Sequence, residues 1–397
     1  MISLANRPRD IYSRWHPDTW QPWQRNQWAI YAAIFISSLG FTFVMPFIPQ
    51  YVQQLGIRDP SRAALWSGLL VGITPLIGGL LTPVWVRVAE HTGNRPMILR
   101  SLVAWIFLLS MMGLVTNIWQ LLALRILLGV FSGFNAFALA VISVTVPRER
   151  IASAIGSIQS LQFIAAALGP IFGGTLADTV GLRQTFFVAG VLSLVATVVF
   201  VRLFDAKHDR AAAPKRKEQA SVSVLAHLPG FLAIMVTLVS ISFIEKTFGP
   251  LIPLYVQQLH APARFLGTIA GAVITIGSVA AAIAATTMGR LSRSCNPRNL
   301  LLITLAGGCV VLIPITLARE WWQLLFLRPM LDIFIGGNTT LAYAIAARAL
   351  PERWKLTAFG TLGGLALIGT AIAPFVSGIV TNATHSLRTT GQSHLKV

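Results

Sequence analysis

Eleven apolar stretches, each long enough to cross a bilayer, decide which solvent this chain of 397 residues can fold in. They lie at about 27–49, 64–86, 97–116, 119–145, 152–177, 183–204, 229–258, 265–290, 299–318, 321–349 and 357–382. A hydrocarbon core about 30 Å thick needs about 20 residues of helix. Hydrophobic residues make up 55% of the chain and charged residues only 11%, against about 25% charged in a soluble domain. Too few polar groups remain to cover a water-facing surface, so lipid is the main solvent. The expected fold is all-α and multi-pass.

Polar turns separate these stretches, apart from one longer basic segment at 202–228 that holds Lys207, Arg210, Lys215, Arg216 and Lys217. It reads as a linker between two bundles. The expected organisation is a cytoplasmic segment at 1–26, a bundle at 27–205, a basic linker at 206–228, a second bundle at 229–382 and a polar tail at 383–397. Trp15, Trp20 and Trp23 in the first segment suit a membrane interface or an amphipathic anchor. The first apolar run has no small-residue cleavage site, so a cleaved signal peptide is not expected. With Cys295 and Cys309 alone, no disulfide framework is implied.

The formal charge of +18 would suit nucleic acid in a soluble protein. Its placement says otherwise. With the N-terminus in the cytoplasm, 21 of the 31 Lys and Arg fall on cytoplasmic segments and seven on the other side. Arg125, Lys246 and Arg328 fall inside apolar stretches. By the positive-inside rule this excess sets orientation, and no nucleic-acid partner is expected.

The chain also repeats itself at a spacing of about 204 residues. The run from Pro46 to Leu55, Pro-Phe-Ile-Pro-Gln-Tyr-Val-Gln-Gln-Leu, returns from Pro250 to Leu259 as Pro-Leu-Ile-Pro-Leu-Tyr-Val-Gln-Gln-Leu. Gln120-Leu-Leu-Ala-Leu-Arg125 returns as Gln323-Leu-Leu-Phe-Leu-Arg328, and Asn135 answers Asn338. Gly156 and Pro170 return as Gly360 and Pro374. The offset spans six helices, so both copies keep the same orientation. This is the parallel-repeat arrangement of carriers built around a midplane site.

With these motifs the chain resembles the major facilitator superfamily, specifically its drug:proton antiporter branch, over nearly its whole length. The loop from Pro83 to Pro96 is similar to the family's signature loop. Gly93 and Arg95 match it, and Glu90 stands where Asp is usual. The resemblance implies that Glu90, Gly93 and Arg95 gate the cytoplasmic side. Simple positive-inside charge would equally explain Arg87, Arg95 and Arg100. Arg125, followed by Gly129 and Gly133 at four-residue spacing, resembles the family's intramembrane arginine motif, which implies proton transfer. The alternative is an arginine that braces the bundle through backbone carbonyls. Gly169-Pro170-Ile171-Phe172-Gly173-Gly174 resembles the antiporter signature and implies export; its plain alternative is a kinked packing helix.

Intramembrane acids are few, and each is a functional candidate. Asp332 follows Arg328 by four residues, so the two share a helix face and can pair. Glu245 lies midway along its stretch, and the adjacent Lys246 points about 100° away. A carboxylate held in a low-dielectric site suits proton carriage or the binding of a cationic drug. Proton or cation coupling is therefore expected at Arg125, Glu245 and Asp332. Phe43, Asn135, Gln162, Phe248 and Asn338 are the expected cavity residues, with helix–helix contact as the alternative for each.

No phosphate loop occurs, and no His, Cys and Asp cluster suggests a metal or nucleophile. No enzyme activity and no cofactor are expected. The repeat demands a twelfth helix, but the 15 residues from Ala383 are too few and too polar to span a bilayer. The expectation is therefore two six-helix-type bundles with eleven membrane helices and the twelfth missing. The resemblance implies a monomer in the bacterial inner membrane, surrounded by lipid, that exchanges small molecules for protons. The alternatives are a facilitator for a sugar or organic acid, or a truncated inactive transporter.

Overall fold

The computed structural model describes residues 21–205, 231–247, 251–349, 362, 366 and 368–380. The expected linker at 206–228 and tail at 383–397 lie outside them, as do residues 1–20 of the expected segment at 1–26. The first half holds α1 (Pro22–Val44), α2 (Ile48–Gln54), α3 (Pro60–Thr92), α4 (Asn94–Met112), α5 (Ile118–Val130), α6 (Phe134–Thr145), α7 (Arg148–Thr179) and α8 (Leu182–Leu203). The second holds α9 (Phe231–Thr247), α10 (Ile252–Gln258), α11 (Leu266–Ser294), α12 (Pro297–Thr316), α13 (Leu324–Ile335), α14 (Asn338–Ala349) and α15 (Ile368–Val380).

Helix is the form in which a span pairs its own backbone groups away from water. The starts are written locally. Asp59, Asn117 and Asn296 cap α3, α5 and α12 by accepting from Arg62 N, Gln120 N and Arg298 N at 2.9–3.0 Å. Pro22, Pro60 and Pro297 occupy first-turn positions whose amides need no helical partner. Among the described residues, seven helices are long and apolar enough to cross a membrane, and the bent pair α9 and α10 makes an eighth when taken as one span. The stretches at 119–145 and 321–349, expected as single spans, are each split. Gly133, at φ +108°, separates α5 from α6 in a conformation open to glycine. Gly336 and Gly337 separate α13 from α14.

The repeat carries the same chemistry in both halves. Tyr51 Oη donates to Met112 O at 2.6 Å, and Tyr255 Oη donates to Ile315 O at 2.6 Å. Gln120 Oε1 accepts from Thr116 N, and Gln323 Oε1 accepts from Arg319 N, both at 2.8 Å.

The halves meet at one end. Phe47, Tyr51, Leu109, Leu121 and Phe186 share a buried cluster with Ile252, Val256, Ala270, Val273 and Leu324 of the other half. At the opposite end the buried clusters stay within one half: Ile34, Ile98, Phe137 and Phe200 in the first, Phe231, Leu238, Leu301 and Leu341 in the second. That second end carries the Arg-rich turns around Arg95, Arg150 and Arg298 and is called the basic end below; the joined end is the far end. Large apolar side chains such as Leu80, Phe107, Phe163, Leu302 and Phe326 lie exposed on the helices, as lipid-facing residues do.

Candidate functional site

The interior of the second half gathers ionisable groups. Asp332 and Arg328 lie one turn apart on α13 and form an ion pair, with Nε 2.7 Å from Oδ2. Asp332 is buried, and a side chain at Gly277 of α11 would strike its carboxylate. Across the break at Gly336, the first turn of α14 presents Thr339. Its Oγ1 donates to Glu245 Oε1 of α9 at 2.8 Å. Among the described residues, Glu245 is held by this hydroxyl and forms no salt bridge. Such a carboxylate can exchange a proton or meet an incoming cation without first breaking a salt bridge.

The corresponding interior of the first half is different. Arg125 is fully buried, and its Nη1 lies 3.1 Å from Met45 Sδ. Its Nε and Nη2 have no hydrogen-bond partner among the described residues. A thioether is a weak acceptor, so this guanidinium is poorly satisfied where a buried charge ordinarily needs full pairing. Its backbone carbonyl accepts from Thr74 Oγ1 of α3 at 3.0 Å, and Gly129 one turn later packs against Thr74 and Ile77.

The break between α5 and α6 has its own brace. Arg100 Nη2 donates to Ser132 O at 2.7 Å, and Trp85 Nε1 donates to Val130 O at 2.8 Å. The guanidinium of Arg100 lies 3.6 Å from the centre of the Trp85 ring. Sequence reasoning counted Arg100 only as a topology charge and passed over Trp85. The available signal was a tryptophan inside the resembling loop and an arginine two turns into an apolar helix. Gly93 ends α3 at φ +88°, and Arg95 lies in the first turn of α4. The side chain of Glu90 lies outside the described residues.

The antiporter-like run on α7 faces two ways. Gly169 and Gly173 lie against Thr42 and Phe43 of α1, within the half. Gly174 lies against Gly267 of α11, and the Pro170 carbonyl against Gly271, across the halves. Gly68 and Gly72 of α3 meet Pro374 and Ala371 of α15 in the same manner. At the end of α7, Asp178 accepts from Gly267 N at 2.9 Å, from Thr268 N at 2.6 Å and from Thr268 Oγ1 at 2.7 Å. Sequence reasoning passed over Asp178 because it lies just beyond the counted apolar stretch.

The expected cavity residues divide. Asn135 is exposed at the start of α6, and Gln162 is half-buried on α7. Phe43 is buried and packs at 6.5 Å on Phe172. Asn338 is buried, and its Oδ1 accepts from Thr304 Oγ1 at 2.7 Å, which ties α14 to α12. Phe248 lies outside the described residues. Two cavities of about 340 and 470 Å³ lie at the far end, the first around Leu251, Tyr255 and Thr316, the second around Gln50, Asp178 and Arg264. Neither is lined by Glu245 or Asp332.

The family model described as "Major Facilitator Superfamily" matches residues 30–270 and again 234–390. The chain is 33% identical over 364 residues to the multidrug resistance protein MdtG of Salmonella dublin, which covers 88% of this chain and 89% of that one. It is 36% identical over 319 residues to the protein of the same name from Dickeya zeae, with 79% and 78% covered. Among solved structures, a bacterial homolog of the human lysosomal transporter Spinster, inward-facing and unoccupied, superposes with a TM-score of 0.78 at 17% identity, covering 94% of this chain and 86% of that one. The nucleoside transporter NupG superposes with a TM-score of 0.69 at 10% identity, covering 90% and 91%.

Proposed function

Because the chain belongs to the major facilitator superfamily, and is therefore a multi-pass membrane transporter and not an enzyme, we propose that it exports amphipathic, often cationic compounds from bacteria by proton antiport and alternating access. The relatives named for multidrug resistance support the cargo class. The observation that carries the coupling is Glu245, which is bound to Thr339 and has no paired cation among the described residues.

In this reading the bundles at 27–205 and 229–382 rock about the midplane of the inner membrane. The N-terminus and the basic end face the cytoplasm. A cationic compound enters between the halves where they stand apart. Glu245 gives up its proton to water on that side, and the carboxylate it leaves behind pairs with the cation. After the halves rock, a proton arriving from outside neutralises Glu245 and the cation is released. Arg328 keeps Asp332 neutralised, so one carboxylate, not two, competes for the cargo. Arg125 adds a fixed positive charge in the other half, and Phe43, Asn135 and Gln162 serve the cavity. Gly93 and Arg95 shape the cytoplasmic gate, and the Gly169–Gly174 run sets the seam on which the halves rock.

The test is drug efflux driven by a pH gradient in everted vesicles. Glu245→Gln keeps the shape and the Thr339 contact but cannot titrate, and should cut gradient-driven transport by at least about tenfold, the factor that one lost ion-pair-sized interaction of 1.4 kcal/mol represents. Wild-type efflux that persists unchanged when the gradient is collapsed would sink the antiport reading.

A further inference from the structure

We propose that Asp178 is a latch between the halves: its carboxylate holds the far end closed, and must release α11 for that end to open. The proposal rests on the alternating-access reading above and adds a residue to it. Asp178 stands in the last turn of α7, in the first half. The amides it binds, Gly267 and Thr268, stand in the first turn of α11, in the second half. The first amides of a helix have no partner within the helix. In α3, α5 and α12 a residue just before the helix serves them: Asp59, Asn117 and Asn296. Phe265, at the same position before α11, supplies no side-chain cap. The cap of α11 is borrowed from the other half, so it exists only while the two halves touch.

The local shape fits a contact that is made and broken. Gly174 against Gly267 and Pro170 against Gly271 bring α7 close enough for a short aspartate to reach. A side chain at Gly267 would strike the Asp178 carboxylate at 2.8 Å. Asp178 is only half-buried and borders the 470 Å³ cavity, where Gln50, Gln53, Gln54 and Arg264 also stand. These polar groups, with water, can solvate the carboxylate once it lets go, which keeps the cost of opening moderate. Arg264 is the charged side chain that shares this cavity with Asp178, and its guanidinium lies over the Phe265 ring.

The experiment measures distances across both ends of the full-length protein in lipid nanodiscs by pulsed electron resonance. Cys295→Ser and Cys309→Ser remove the native thiols. Nitroxide labels then go at Arg58→Cys with Ala263→Cys for the far end, and at His91→Cys with Ser294→Cys for the basic end. Asp178→Ala should raise the far-end open fraction about fivefold, the effect of one lost helix cap on a two-state equilibrium, and shorten the basic-end distances. Asp178→Glu should restore most of the wild-type distribution, and Thr268→Ala, which removes one of the three bonds, should shift it about twofold in the same direction. A merely structural role would lower thermal stability and leave both distributions in place. Wild-type distributions in Asp178→Ala and Thr268→Ala overturn the latch. Should Asp178→Ala fail to fold, Thr268→Ala with Asp178→Asn decides the question by the same criterion. The alternating-access reading fails separately, if the two wild-type distances never move in opposite senses when drug and a proton gradient are supplied.

Discussion

The two halves share a scaffold and differ in their interior chemistry. At matching positions of the repeat the first half has Arg125 and Gly129, and the second has Arg328 and Asp332. Arg328 is paired; Arg125 touches a thioether. Where the second half has Glu245, the first has Phe41, stacked on Trp105 at 5.5 Å. The reason Gly129 does not carry a carboxylate is steric. A side chain there would meet the Thr74 carbonyl at 2.8 Å and Ile77 at 2.9 Å. In the second half Gly277 on α11 leaves the space that Asp332 fills. Duplication therefore preserved the frame, and close helix packing decided which copy could hold acids.

Breaking the ion pair gives the largest effect among tests of this contrast. Asp332→Asn leaves the half-buried Arg328 facing a neutral amide in place of its carboxylate. The expected cost is about 3 kcal/mol, the low end of the range for removing one partner of a buried pair, read as a lowered midpoint of thermal unfolding in detergent. Replacing both partners, Arg328→Leu with Asp332→Leu, should recover more than half of that loss, since no lone charge remains. Equal losses in the single and double variants would show that the pair is not what holds α13 in place.

Much of this contrast could be read before any coordinates. The apolar stretches, the repeat and the four-residue spacing of Arg328 and Asp332 are visible because spans, copies and helix faces all have fixed periods. The breaks after Val130 and Ile335 were not visible. One or two glycines inside an apolar run leave its hydrophobicity intact, and Gly133 signals its backbone conformation only once φ is known. For Asn338 polarity left cavity and helix–helix contact as alternatives, and its bond from Thr304, 34 residues away, could not be read from spacing. Glu245 could be singled out as a lone acid, but Thr339, its partner from 94 residues away, could not be read from spacing. Asp178 was missed for a related reason: its partners lie 89 and 90 residues away in the other half.

The two breaks are braced by different means, and that gives a test of intermediate size. In the first half Arg100 and Trp85 hold the carbonyls of Ser132 and Val130 from α4 and α3. In the second, Thr304 holds Asn338 directly. Arg100→Leu removes a charge-assisted bond and the stacking on Trp85, for an expected loss of about 2 kcal/mol. Thr304→Val removes one neutral bond, for about 1 kcal/mol. The ratio is measurable as two thermal midpoints in the same detergent. A larger loss at Thr304 would reverse the assignment of which break depends on its brace.

The smallest effects test the shared frame. Tyr51→Phe and Tyr255→Phe each delete one hydroxyl that donates to a carbonyl near the end of a neighbouring helix, Met112 of α4 and Ile315 of α12. Interhelical hydrogen bonds in membranes contribute about 0.6 kcal/mol on average and up to about 1.7. Tyr51 is fully buried and packs on the Phe186 ring at 4.9 Å, whereas Tyr255 is half-buried beside the 340 Å³ cavity. Water can replace the lost partner at Ile315 and is excluded at Met112. Tyr51→Phe should therefore cost about 1.5 kcal/mol and Tyr255→Phe about 0.5, with gradient-driven efflux unchanged in both. Equal losses would mean that burial does not distinguish the two copies. A larger loss at Tyr255 would mean that the second half, which holds the acids, is also the half that depends more on its frame.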